Sequence, residues 1–136
     1  MGVDIFSGAG GLSIGAEMVG IKTVIAVEND KHAYETCKFN HPNTEVICDD
    51  IRNVSLANKY KIHLFYLAVH HVKDSLHQIQ KTRNTDNANN SLFYEYIRQV
   101  SELSPEWFVF ENVEGITTFE NGTVVKKLEE LFKKLG

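Results

Sequence analysis

Cysteine and proline are scarce in this chain, with two of each among 136 residues. Cys37 and Cys48 form neither a disulfide framework nor a CxxC pair. That usage fits a reducing, cytoplasmic setting, where each reads as a small buried apolar residue. A basic excess is absent too: 14 Lys and Arg stand against 18 Asp and Glu, for a net charge of −4. The chain as a whole therefore lacks the electrostatic footprint of a nucleic-acid binder. No apolar run is long enough to span a bilayer, and no basic stretch leads into an apolar one at the start, so neither a membrane span nor secretion is expected. His63, His70, His71 and His77 stand at no zinc-ligand spacing with cysteine or carboxylate, and no metal is expected.

What the chain does have is alternation of short apolar runs with helical patterns. Val3–Phe6 reads as a buried strand that runs into the glycine-rich Ser7–Gly11, followed by a helix over Leu12–Val19 closed by Gly20. Thr23–Val27 and Glu45–Cys48 are further strands, separated by a helix over Lys31–Phe39 that stops at Asn40, His41 and Pro42. His63–Ala68 and Trp107–Phe110 complete five strands. Between them, Leu92, Phe93, Tyr96, Ile97, Val100 and Leu103 fall at helical spacing within Asn90–Leu103. Val124–Leu135 is an amphipathic Lys/Glu helix. Continuous apolar strands joined by helices predict an α/β fold with a parallel sheet covered on both faces. Ligands of such sheets sit beyond the carboxyl ends of the strands.

Those strand ends carry the polar residues of interest. After the first strand, Gly8, Gly10 and Gly11 allow a tight turn and a close ligand approach at a helix N-terminus. The GxGxxG spacing is broken by Ser13 and no GK[ST] follows, so a plain glycine turn explains this motif equally well. Glu28 ends the second strand roughly twenty residues later, where an acid can accept both ribose hydroxyls; a solvated loop acid is the alternative. After the third strand, Asp50 can accept from an exocyclic amine while Ile51 packs on a purine; the alternative for Asp50 is a helix N-cap. Glu111 leaves the apolar run WFVF, which predicts a partly desolvated cleft, or else a turn acid ahead of Asn112. Glycines, an acid and an acid at three successive strand ends make a nucleoside-binding pattern.

The ordered stretches DIFSGAGG, VEND, DDI, NSLFYEYIR and FVFENV resemble the motifs of the DNA (cytosine-5) methyltransferase family. The resemblance covers nearly the whole chain except about residues 67–84. It implies a Rossmann-like fold that binds S-adenosylmethionine, with DNA as the partner, in the setting of DNA methylation and restriction-modification. Carried over position by position, Phe6 packs on the adenine and Ser7, Gly8, Gly10, Gly11 and Leu12 cradle the methionine end. Glu28 holds the ribose, Asp50 and Ile51 contact the adenine, and Leu92 closes the pocket near the methionine. Glu111 is the catalytic carboxylate, holding the flipped cytosine at N3 and its amino group.

The resemblance also implies a nucleophilic cysteine after the fourth strand, in Gly-Gly-Pro-Pro-Cys-Gln. This chain reads LAVHHVKDS there. Without the thiolate no covalent adduct forms at C6, and no methyl transfer is expected. Residues 1–136 thus read as the cofactor-binding half of a catalytic domain, without a target-recognition domain and with apolar surface left uncovered. The alternative is a pseudoenzyme, or one subunit completed by a second chain, which a purposeful His70/His71 site would favour. A frame-shift would account for the missing motif, the alternative being an evolved surface loop that merely permits the coding. One permitted coding of Leu67–Leu76, TTG GCG GTC CAC CAT GTC AAG GAT TCT CTT, regroups from its third base as GGC GGT CCA CCA TGT CAA GGA TTC TCT. That reads Gly-Gly-Pro-Pro-Cys-Gln-Gly-Phe-Ser, and such a segment would be the least ordered part of the domain.

Overall fold

A computed structural model of the chain describes residues 1–57, 64–68 and 88–111 and the helical positions 126, 129, 130, 132 and 133, with residues 64–68 and 88–94 described as backbone. Strand β1 (Gly2–Ile5) is buried at every residue, and β2 (Thr23–Glu28) at all but its last. Their side chains alternate between two covered faces, so both faces need apolar residues. β3 (Glu45–Cys48), β4 (Leu64–Ala68) and β5 (Trp107–Glu111) complete a sheet of order β3-β2-β1-β4-β5. Every neighbouring pair is parallel.

That order decides where a site can form. The chain steps outward from β1 through β2 to β3, then returns to the other side of β1 for β4 and β5. In sheets of this order the place where the order reverses, here beside β1, is where ligands sit, beyond the carboxyl ends of the strands.

The helices follow from local chemistry. α1 (Gly11–Met18) starts at Gly10, whose φ of 87° suits glycine and whose N-cap side chain is missing. α2 (Lys31–Asn40) is capped by Asp30, which accepts from the Ala33 N–H at 2.8 Å. α3 (Ala88–Leu103) presses Tyr96, Gln99 and Val100 inward, and all three are buried. Its polar residues grip a 3-10 turn at Ile51–Asn53: Arg98 Nη2 donates to the Ile51 and Val54 carbonyls at 3.1 and 3.0 Å, and Gln99 Nε2 to Val54 at 2.7 Å. Val3, Ile5, Ile25, Val27, Ile51, Leu56 and Tyr96 form the core, and the Tyr96 ring lies 5.4 Å from Phe110 and 5.7 Å from Phe132. The helix expected over Val124–Leu135 thus reaches this cluster through Phe132. No described helix is long and apolar enough to cross a membrane.

Three expectations need correction. β1 stops at Ile5 rather than Phe6, because Phe6 takes φ +57° and leaves the extended region. Cys37 is buried as expected, but Cys48 is exposed, since it ends edge strand β3 where the sheet gives out. Glu111 is exposed, not enclosed in a desolvated cleft, because β5 is the opposite edge strand among the described residues.

Candidate functional site

Register aligns the strand ends. Ile5 pairs with Val27 on one side and with Leu67 on the other. One step further along, Glu28 pairs with Cys48, and Ala68 with Glu111. Phe6, Glu28, Cys48, Ala68 and Glu111 therefore stand in one row along the carboxyl edge. Glu28 and Glu111 lie three strands apart in that row, about 14 Å at the usual interstrand spacing.

Between β1 and α1 the backbone turns sharply. Phe6, Gly8 and Gly10 all have positive φ, at 57°, 55° and 87°. For a bulky residue such as Phe6 that conformation costs about 1–3 kcal/mol and persists only where the surroundings impose it. Here Ser7, buried, donates its N–H to the Val27 carbonyl at 3.1 Å, and the Gly10 N–H closes the turn on the Ser7 carbonyl at 2.8 Å. Gly10 is packed so tightly that a Cβ would lie 2.3 Å from His41 Nε2. Gly8 and Gly11, by contrast, have nothing within 4 Å of where a Cβ would stand. The turn is crowded behind and open in front.

Glu28 locks onto this turn. Its Oε2 accepts the Gly8 N–H and its Oε1 the Asp30 N–H, each at 2.8 Å. A carboxylate oxygen has two acceptor positions, so both keep one for a further donor, as a vicinal diol would require. Asp50 serves as the N-cap of the 3-10 turn, accepting the Arg52 N–H at 2.9 Å and Nε–H at 2.8 Å. Hydrogen bonds from the Arg52 side chain hold its carboxyl below the usual range, although partial burial works against them. Ile51, expected against a purine, keeps only 2% of its surface accessible and belongs to the core. Phe6 is half-buried and Leu12 likewise. Leu92 lies in α3, with its side chain outside the described residues, as are residues 69–87, His70 and His71 among them.

A sequence profile decides the family: that of C-5 cytosine-specific DNA methylases matches residues 1–136. The chain belongs to that family. Among curated relatives, the Type II methyltransferase M.XorII of Xanthomonas oryzae pv. oryzae is 35% identical over 144 residues, covering 100% of this chain and 33% of the relative. M.PspPI of Psychrobacter sp. is 34% identical, covering 98% of this chain and 33% of its own. This chain therefore spans about a third of the length of these relatives. Among solved structures, a prophage protein of E. coli assigned as a DNA modification methyltransferase superposes with a TM-score of 0.78 at 28% identity, covering 98% of this chain and 37% of that one. The fold is the α/β, Rossmann-like fold of the S-adenosylmethionine-dependent methyltransferases, shortened relative to its homologues.

Around the glycine turn stand residues that sequence reasoning passed over. Asp4, in the middle of β1, has no accessible surface, and Ser13 Oγ donates to its Oδ2 at 2.6 Å. Its Oδ1 has no partner among the described residues. Burial pushes the Asp4 carboxyl up to about 7, against the lowering effect of the Ser13 hydrogen bond and of His41. Ser13, noticed only as the residue that spoils GxGxxG, is thus the one that ties α1 to β1. An acid inside a four-residue buried strand was the signal for it. Asn40 and His41, read only as a helix stop, reach back to the glycine turn.

Proposed function

We propose that this chain is the S-adenosylmethionine-binding part of a DNA (cytosine-5) methyltransferase and that, with its present sequence, it holds the cofactor without methylating DNA. One observation carries the reading: the glycine turn and Glu28 meet at the switch point of the sheet, with the Glu28 carboxylate fixed by the Gly8 N–H and still able to accept two donors. The cofactor supplies the methyl group. Glu28 would take the ribose hydroxyls, the open front of Gly8 and Gly11 would admit the methionine end, and Phe6 and Asp50 flank the adenine side. Ile51 contributes at most an edge of its side chain. Glu111, in the same row on β5, would hold a cytosine by N3 and its amino group.

The expected nucleophile has no counterpart: the cysteines of the chain are Cys37, buried beneath the turn, and Cys48, ending β3, and neither follows β4. Calorimetric titration with S-adenosylhomocysteine tests the cofactor reading. Wild type should release heat, with Glu28→Ala and Asp50→Ala each weaker. No heat from a folded wild type, or equal heats from all three, sinks it.

A frame-shift within residues 67–82 remains our account of the lost cysteine motif, and nearly all of that segment lies outside the described residues. Sequencing the gene tests it, since codons unable to regroup to Pro-Pro-Cys-Gln end the idea. A second reading, one subunit of a split enzyme, is favoured by edge strand β5, where Trp107 is 73% exposed and Val109 45% on one face. Such a face needs cover. Mixing with a chain that supplies the part of its relatives' length that this chain does not span should then give methyl transfer, and none would discard this reading.

A further inference from the structure

The glycine turn is gripped from behind by the end of α2. Asn40 Nδ2 donates to the Ala9 carbonyl at 3.0 Å, and His41 Nε2 lies 3.0 Å from the Gly10 carbonyl. His41 is 2% exposed, and its Nδ1 lies 3.1 Å from Glu17 Oε1 on α1. The Gly10 carbonyl, which also accepts the Ile14 N–H at 3.0 Å, can only accept, so Nε2 donates.

The geometry has a directional consequence. In a trans peptide the N–H points opposite to its C=O. Holding the Ala9 and Gly10 carbonyls toward α2 therefore turns the Gly10 and Gly11 N–H groups away from it. Gly10 spends its N–H on Ser7. Gly11 heads α1, so its N–H is one of the donors the helix cannot use internally, and nothing lies within 4 Å of where its Cβ would stand. His41 acts by bulk as well, since its ring occupies the place of any side chain at Gly10.

We propose that Asn40 and His41 are positioning residues of the cofactor turn, fixing two successive peptide planes so that the Gly11 amide faces the methionine end of the cofactor. This rests on the cofactor reading above. Neither residue touches the ligand in this scheme; both act through the backbone they hold.

The test exploits the division of the ligand. Adenosine carries only the part assigned to Glu28 and Asp50, whereas S-adenosylhomocysteine adds the amino-acid end. Both are titrated into wild type, Asn40→Asp (same shape, donor lost), His41→Phe (ring kept, donor lost) and His41→Gln (donor kept). Asn40→Asp and His41→Phe should weaken S-adenosylhomocysteine by about tenfold, the effect of one hydrogen bond, while leaving adenosine unchanged. His41→Gln should recover most of the loss. Unchanged affinities, or equal weakening of both ligands, would overturn the proposal, because a merely structural role moves both. A wild type that binds adenosine but not S-adenosylhomocysteine overturns it also. If folded wild type binds neither, the cofactor reading itself fails and the clamp falls with it. Should His41→Phe not fold, the exposed Asn40→Asp decides alone on the same split.

Discussion

Raising the pH from 5 to 8 should destabilise this chain through Asp4. Its carboxyl is wholly buried in β1, with one oxygen bonded to Ser13, and burial lifts it from an ordinary 3.8 to about 7. Folded Asp4 keeps its proton up to about that pH, while unfolded Asp4 has lost it near 3.8. Between the two values the folded state binds more protons, so stability falls as pH rises, and it levels off above about 7. A shift of roughly three units corresponds to about 4 kcal/mol in total, of which about 3 kcal/mol falls between pH 5 and 8. That is a large part of a domain's usual margin of about 5–15 kcal/mol. Asp4→Asn keeps the shape and an acceptor for Ser13 but cannot ionise. Urea unfolding followed by circular dichroism at both pH values measures the difference. The wild-type midpoint should drop by about 1–2 M more than that of Asp4→Asn at ordinary urea sensitivities. Equal pH dependence in the two proteins would refute the assignment, since every other titrating group is common to both.

Gly10→Ala must force a Cβ into the His41 ring at a backbone angle that disfavours side chains, and should lower stability by about 2 kcal/mol or more, read as a fall in the urea midpoint. Gly8→Ala meets open space and carries only the strain of φ +55°, so its loss should be the smaller of the two. Arg98→Ala removes one of the two donors to the Ile51 carbonyl and one of the two to the Val54 carbonyl, and should cost about 1–2 kcal/mol by the same measurement. Incubation of the chain with labelled S-adenosylmethionine and mixed DNA duplexes should give background counts only; clear methylation of cytosine would show that another nucleophile or a partner chain is at work.

Much of the sheet could be read in advance because a parallel strand buried on both faces leaves a continuous apolar record, as in TVIAV, and the exposed edge strand WFVF is as apolar. Glu28 was legible for the same reason: an acid directly after such a run can only stand at the strand's end. The order of the strands was not written in any one segment, and the placing of β4 beside β1 depends on contacts some sixty residues apart. A nucleoside-binding motif and a core position both ask for an isoleucine, and Ile51 lies in the core here. Asp50 satisfies two descriptions at once, an N-cap in this structure and a ligand acid in the family pattern. Asp4 and His41 escaped notice since their significance lies in burial, which a lone polar letter in a sequence does not declare.

The central position of β1 has a practical consequence. Four residues at the start of the chain separate β2 and β3 from β4 and β5, so trimming Gly2–Ile5 would leave two isolated two-stranded ribbons, each marginal by itself. An extension added ahead of Met1, however, would emerge at the amino edge of the sheet, opposite the row that holds Glu28 and Glu111. An affinity handle ahead of Met1 should leave ligand titrations undisturbed, whereas deletion of residues 1–6 should yield no folded protein.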